Sequence, residues 1–509
     1  MFPIEADFNT QFTFETEATS VNENSPFQIL LLGDWSGGVV KADLSARKPI
    51  EIDRDNFQDV MRRLKVSVQL NLTGDENDLT ILNFTEVDDF HPDNLFNFCP
   101  IFDDLRDLRQ RLLNKNTFEA AAREVRSLFI EIEAEIVPQE FPSSVSNMSP
   151  VSDSKDLLDQ ILFQSDESSA IPTQSRPYSD ELQKLVGHSI KPFLVNTDES
   201  EQTKLLSLID KAISNLMKKI LSSSGFKDLE AAWRGLYFLV RQIETDSTLK
   251  VFVYDLTKQE LSHNLQSNSD LTGSCLYNIL FSAVDYDLNS SPWSLIAGNY
   301  MFDCTIDDIA LLIRLAKLSA SAVAPIVSSV RLESLGITFS SDKNHIEILA
   351  LDETSEKLWT TIRSLPESEY IGLATPRYLA RLPYGSETNP IETFDFEESY
   401  SQSEKFDYLW SNSCFICTVL IAQSFQEYGW NMDNIYVNEL DGFPVHIYQD
   451  DGETKTKNAV EFMSTSNKYQ MLLDLGLIPL FTLINSDKIK VLRFQSISSP
   501  SKPLKGKWN

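Results

Sequence analysis

The sequence predicts a mixed α/β (α+β) chain with two unequal folded parts and a flexible linker between them. Three observations lead there. Helical periodicity and short apolar runs alternate over most of the 509 residues. Composition turns to Ser and Pro between residues 138 and 180. Apolar residues make up 42% and aromatics 10%, enough for two or three cores and unlike a disordered chain. The expected parts are a small β-sheet/helix domain over residues 1–137, the linker over 138–180 and a larger α/β domain over 181–509.

The elements follow in order. Residues 1–24 are polar and acidic, with a weak alternation at Phe8, Phe12 and Phe14 that suits an extended arm or an edge strand. Residues 27–32 are an apolar run ending in Gly33-Asp34-Trp35-Ser36-Gly37-Gly38, a buried strand and its turn. Between Asp55 and Leu64, the residues Phe57, Val60, Met61 and Leu64 share one helical face. Val66 to Leu72 alternates as a half-buried strand, and Leu79 to Phe84 reads as another. Together these predict a local β-β-α-β-β-like unit. Asp104 to Glu135 is a helical stretch broken near Asn114-Lys115-Asn116.

Inside the linker, residues 155–163 form a short amphipathic island, either a helix docked on its own chain or one offered to a partner's groove. Beyond it, Glu201 to Leu221 and Phe226 to Ile243 are helical. Lys250 to Tyr254 is a strand, and Leu295 to Ala297 and Ile346 to Leu349 read as two more. Asp307 to Ala324, Trp359 to Leu365 and Phe415 to Tyr428 are helices.

Charge excludes several functions. There are 44 basic and 75 acidic side chains, a formal net of −31, which opposes a phosphate backbone and an anionic membrane surface. No stretch approaches the roughly 20 apolar residues of a membrane span, and the N-terminus lacks the features of a signal peptide. The expectation is a cytoplasmic protein that neither binds nucleic acid nor inserts in membranes. Five scattered Cys are no disulfide framework.

Local motifs nominate no chemistry. Gly33 to Gly38 has neither the spacing of a dinucleotide fingerprint nor the Gly-Lys-Ser/Thr of a phosphate loop, so it reads as a structural turn. Cys414-Phe415-Ile416-Cys417 is a lone CxxC on an apolar helix and reads as core. His91, in Asp88-Asp89-Phe90-His91-Pro92-Asp93, sits where a helix cap belongs. Arg234 and Arg381 read as structural ion-pair or stacking partners. No catalytic residue, metal or cofactor is expected, and the chain is read as no enzyme.

Three segments, Pro26 to Gly37, Lys48 to Phe57 and Asp88 to Asp93, resemble the small sheath subunit (TssB/VipA) of bacterial type VI secretion systems. From about residue 180 the chain resembles the large sheath subunit (TssC/VipB). Gly225 to Leu236, Gly298 to Asp303, Leu379 to Gly385, Phe394 to Glu398, Gly429-Trp430 and Gly442 to His446 carry that likeness.

The resemblance implies a contractile-sheath-like fold and a natural fusion of two subunits. It implies a structural subunit that polymerises with itself or other sheath subunits around an inner tube protein, above a baseplate. It further implies that Leu157, Leu158, Ile161 and Leu162 form a helix taken up by a ClpV-type AAA+ unfoldase. After Leu475 to Phe481 the large subunit normally continues into a further section, and here residues 496–509 are a polar tail. That ending implies an alternative role, an accessory protein that caps or regulates the sheath or links it to the baseplate.

Overall fold

A computed structural model of the chain describes residues 25–38, 43–72, 79–134, 201–267, 270–286, 291–340, 345–348, 351–398, 408–432, 437–450, 452–462 and 466–508. The acidic arm and the linker, with Leu157, Leu158, Ile161 and Leu162, lie outside the described residues.

The first elements are β1 (Phe27–Gly33), β2 (Ile50–Glu51), α1 (Phe57–Leu64), β3 (Ser67–Leu70), β4 (Thr80–Asn83) and α2 (Pro92–Phe98). Next come α3 (Asp103–Leu113), α4 (Phe118–Ala134), α5 (Glu201–Ser222) and α6 (Ser224–Gln242). The remainder alternates: β5 (Leu249–Asp255), α7 (Lys258–Ser267), α8 (Cys275–Tyr286), β6 (Leu295–Phe302), α9 (Ile306–Ala322), β7 (Ile326–Val330), β8 (Ile337–Ser340), β9 (His345–Ile348) and α10 (Glu353–Ser364). Then follow β10 (Ile371–Thr375), β11 (Tyr378–Arg381), β12 (Leu409–Ser411), α11 (Cys414–Tyr428), β13 (Glu439–Leu440), β14 (His446–Asp450), β15 (Glu453–Lys457), α12 (Ser466–Asp474), β16 (Ile478–Phe481) and β17 (Ile489–Val491). The mixed α/β class expected from the sequence is what the chain adopts.

These elements form two compact units. One gathers residues 72–78 and 101–216. Its helix α3 buries Leu105, Leu108 and Leu112, spaced for one face, and α4 buries Ala121, Ala122 and Val125. The expected break is real: the Thr117 hydroxyl donates to the Arg111 carbonyl at 2.8 Å, tying off the end of α3. Arg111 reaches Glu124 across the break, and Arg109 pairs with Asp210 of α5 at 2.7 Å.

The other unit gathers residues 1–71, 79–100 and 217–509 around a nine-stranded sheet. Strand order is β13-β17-β16-β10-β7-β6-β1-β5-β2. From β16 to β5 neighbouring strands are parallel, and antiparallel β2, β17 and β13 finish the two edges. Parallel strands buried on both faces read as unbroken apolar runs, as Ile29-Leu30-Leu31-Leu32 does.

The placement of β1 is the main departure from the sequence reading. The local β-β-α-β-β-like unit does not close on itself. β1 runs in register beside β5 from Phe27↔Leu249 to Gly33↔Asp255, and its other edge pairs with β6 from Ile29↔Leu295 to Leu32↔Gly298. β2 joins β5 as well, while β3 and β4 pair with each other. The reason is burial: a strand apolar on both faces needs a covered neighbour on each side, which a small half-exposed sheet does not supply. Leu30 and Leu32 enter the core shared with α7 to α10 and α12. Ile29 and Leu31 alternate to the opposite face and are also fully buried. α11 lies against β6, β7 and β10.

Truncating Leu31 to Ala should destabilise this unit by about 2–5 kcal/mol, the usual cost of a core Leu→Ala cavity. Chemical denaturation followed by tryptophan fluorescence checks it, and a loss below about 0.5 kcal/mol would place Leu31 outside the core.

Candidate functional site

Both ends of β1 are anchored by side chains from far along the sequence. At its start, the Phe27 ring sits 4.7 Å from Phe425, 5.5 Å from Trp430 and 6.0 Å from Trp508. The Trp430 indole N–H donates to the Ser25 carbonyl at 3.0 Å. At its end, the Asp255 carboxylate accepts from the Trp35 N–H (2.9 Å), the Ser36 N–H (3.2 Å) and the Ser36 hydroxyl (2.7 Å). One acid at the end of β5 thereby fixes the whole turn after β1. This is the structural turn expected for Gly33 to Gly38. Gly37 has φ +77°, and a Cβ there would stand 1.9 Å from the Ser67 carbonyl oxygen, so only glycine fits.

An aromatic stack continues from that turn. Trp35 and Trp233, both fully buried, meet edge-to-face at 5.8 Å, and the Trp233 indole N–H donates to the Trp35 carbonyl at 2.9 Å. Phe57 packs edge-to-face on Trp233 at 5.5 Å. Two residues on, Gly235 lets α6 approach α11: a Cβ there would lie 2.4 Å from the Phe415 ring.

Next to this stack lies a buried ionic network. Glu230, fully buried on α6, accepts from Arg234 Nε at 2.7 Å and from Arg381 Nε and Nη2 at 2.7 and 3.2 Å. Arg381 also forks onto Glu398 at 2.8 and 3.1 Å, and its guanidinium lies 4.1 Å from the centre of the Tyr384 ring. Arg234 Nη2 donates to the Tyr384 hydroxyl oxygen at 3.0 Å. Two guanidiniums and two carboxylates cancel, and each is held in hydrogen-bonding geometry, the condition under which buried charge is tolerated. Burial raises the Glu230 carboxyl, yet Arg381 and Arg234 outweigh burial and hold it below its ordinary 4.5. The expected structural roles of Arg234 and Arg381 are those seen.

Other contacts join early and late residues of this unit. The Asp93 carboxylate accepts from the Glu392 and Thr393 backbone N–H groups and from the Thr393 hydroxyl (2.6 Å). Arg47 forks onto Glu260 at 3.1 and 2.7 Å.

The remaining sequence candidates also fall into structural places. His91 caps α2, its Nδ1 accepting from the Asp93 N–H at 3.2 Å. Burial lowers its pKa, as it does for His446, whose Nδ1 meets the Tyr408 hydroxyl at 2.9 Å. Cys414 and Cys417 are fully buried in α11, where burial pushes both thiols up and away from thiolate reactivity. Among the described residues no group of three or more His, Cys, Asp or Glu could hold a metal, and no helix is long and apolar enough to cross a membrane. Asp255 and Glu230 were not singled out by sequence reasoning. Glu230 stood inside a recognised motif, but Asp255 carries no local signal.

Known proteins resemble the chain in two stretches. A family model described as VipB (EvpB/VC_A0108, tail sheath N-terminal domain) matches residues 203–498. A second, described as Type VI secretion system, VipA, VC_A0107 or Hcp2, matches residues 7–132. The type VI secretion system sheath protein TssC1 of Pseudomonas aeruginosa is 32% identical over 305 residues, 58% of this chain and 61% of the relative. The chain thus matches less than two thirds of that relative's length.

Replacing Arg381 by Met leaves Glu230 and Glu398 buried without their shared cation and should cost about 3–5 kcal/mol in denaturant unfolding. The acid limb gives a second check. A carboxylate depressed in the folded state stabilises fully above its unfolded pKa and loses that contribution as pH falls through the folded one. Stability from Glu230 is therefore complete above pH 4.5 and drains away below it. Glu230→Gln should flatten the decline of the thermal midpoint below pH 4.5, and an unchanged slope would contradict this role.

Proposed function

We infer a building role for this chain from the family to which it belongs, the VipB tail-sheath family, here joined in one chain to a VipA-type segment. The chain is a structural subunit of the contractile sheath of a bacterial type VI secretion system. It works in the cytoplasm, polymerises with further sheath subunits around an inner tube and meets a baseplate, and it catalyses no reaction. The observation that carries this reading is β1: a strand from the VipA-matching residues is an interior strand of a sheet otherwise built largely by VipB-matching residues. A subunit knit in that way carries load through main-chain hydrogen bonds and buried side chains, as a contractile lattice requires.

The limits 1–137, 138–180 and 181–509 mark sequence ancestry, a small-subunit part, a linker and a large-subunit part. The two family matches lie inside the outer segments, which supports that division. Tethering fixes a one-to-one ratio of the two parts. Within the linker, Leu157, Leu158, Ile161 and Leu162 are the residues that a ClpV-type AAA+ unfoldase takes up.

Electron microscopy of the purified protein tests the building role. Long hollow tubes are expected, whereas discrete monomers or small rings would favour the accessory reading. A pull-down with the unfoldase's N-terminal domain tests the linker helix. Leu158→Asp should abolish capture, and a variant retained as well as the parent would remove that assignment.

A further inference from the structure

A cavity of about 780 Å³ opens at the carboxyl ends of the parallel strands. Its walls include Asp34 just after β1, Asn299 in β6 and Thr375 at the end of β10, with Asp228 of α6 closing one side. From β1 the chain runs on to β2 and later β5 on one side, and from β6 it runs to β7 on the other, so the crevice lies where the connections diverge. In parallel α/β sheets, ligands bind in crevices of that kind. Pairing between β6 and β7 also slips between Ala297 and Met301, with the Ser328 hydroxyl bridging the Gly298 and Tyr300 carbonyls at 2.8 and 3.0 Å. Such irregularities re-aim side chains next to sites, and Asn299 stands in this one.

The charges in the cavity sort themselves. Each cation on its wall already has an acid: Lys258 pairs with Asp308 at 2.6 Å, Arg331 with Asp303 at 2.9 Å and Arg377 with Glu461 at 2.6 Å. Three polar groups differ. Among the described residues, the Asp228 carboxylate, the Asn299 amide and the Thr375 hydroxyl make no hydrogen bond, although Thr375 is only 3% exposed. Burial raises the Asp228 carboxyl, although Arg377, Lys227 and Arg331 pull it down. Thr375 is buried, Asn299 is half-buried and Asp228 is exposed, and all three line one cavity with acceptor capacity unused.

We propose that this cavity binds a guanidinium or primary ammonium group. The Asp228 carboxylate accepts its charged hydrogen bonds, and the Asn299 amide oxygen and Thr375 hydroxyl accept the rest. The group is either part of a free small cation or the side chain of Lys or Arg from a second copy of the chain. The proposal does not depend on the building role.

Isothermal titration of the full chain with agmatine, which carries one guanidinium and one ammonium group, should show saturable binding at one site. Asp228→Asn should weaken it by about tenfold or more, the loss of a charge-assisted hydrogen bond. The near-isosteric Thr375→Val should weaken it several-fold and remains informative if the Asp228 variant fails to fold. Sedimentation velocity separates the sources: agmatine that dissociates self-associated chains marks a second copy's side chain, and binding with unchanged mass marks a free cation. Either result supports the site. Absence of saturable heat, or variants with unchanged thermal midpoints that bind as tightly as the parent, would overturn it.

Discussion

The unit that holds the nine-stranded sheet depends on one constraint: β1 has no free edge. Its donors and acceptors are shared between β5 and β6, and both its faces are covered. A main-chain hydrogen bond is worth only about 0.5–1.5 kcal/mol net, but leaving a buried one unmade costs more. Removing β1 would therefore strip partners from both neighbours and open the middle of the sheet. The early segment completes the core that the late segment builds.

The flanking interactions make sense in that light. Phe27 is held by aromatic rings from α11 and from the final residues, and the turn after Gly33 is held by Asp255. Neutralised buried charge, between Glu230, Arg234, Arg381 and Glu398, ties α6 to the strand and loop around Tyr384. None of these groups is poised for proton transfer, since each charge is spent on another. The residues that carried the family resemblance, Trp35, Trp233, Gly235, Arg381 and Trp430, are contacts of this core.

Much of this was legible in the sequence because the signals were local. The run Ile29 to Leu32, the stripe on α5, the break at Asn114-Lys115-Asn116 and the cap at His91 each follow from neighbours a few residues apart. The partners of β1 were not legible, since parallel pairing joins residues separated by the whole linker, and an apolar run states that it is buried without stating beside what. β7 went unread because Ser328 and Ser329 interrupt its apolar pattern. Each serine is satisfied by a distant acceptor, Gly298 and Tyr300 for one and Asn412 for the other. Asp255 looks like any acid in a turn until Trp35 and Ser36 are folded onto it. Asn299 stood inside the motif Gly298 to Asp303 and Thr375 in no motif, and in neither case did the sequence show that the sheet topology brings them to one crevice.

Native-state hydrogen exchange of the full chain, read peptide by peptide, tests the central claim most directly. Amides of Phe27–Gly33 should exchange as slowly as those of β6 and β7, opening only with global unfolding of their unit. Exchange of that segment at loop-like rates, while β6 and β7 stay protected, would contradict the interior placement of β1 and the unity of the two halves.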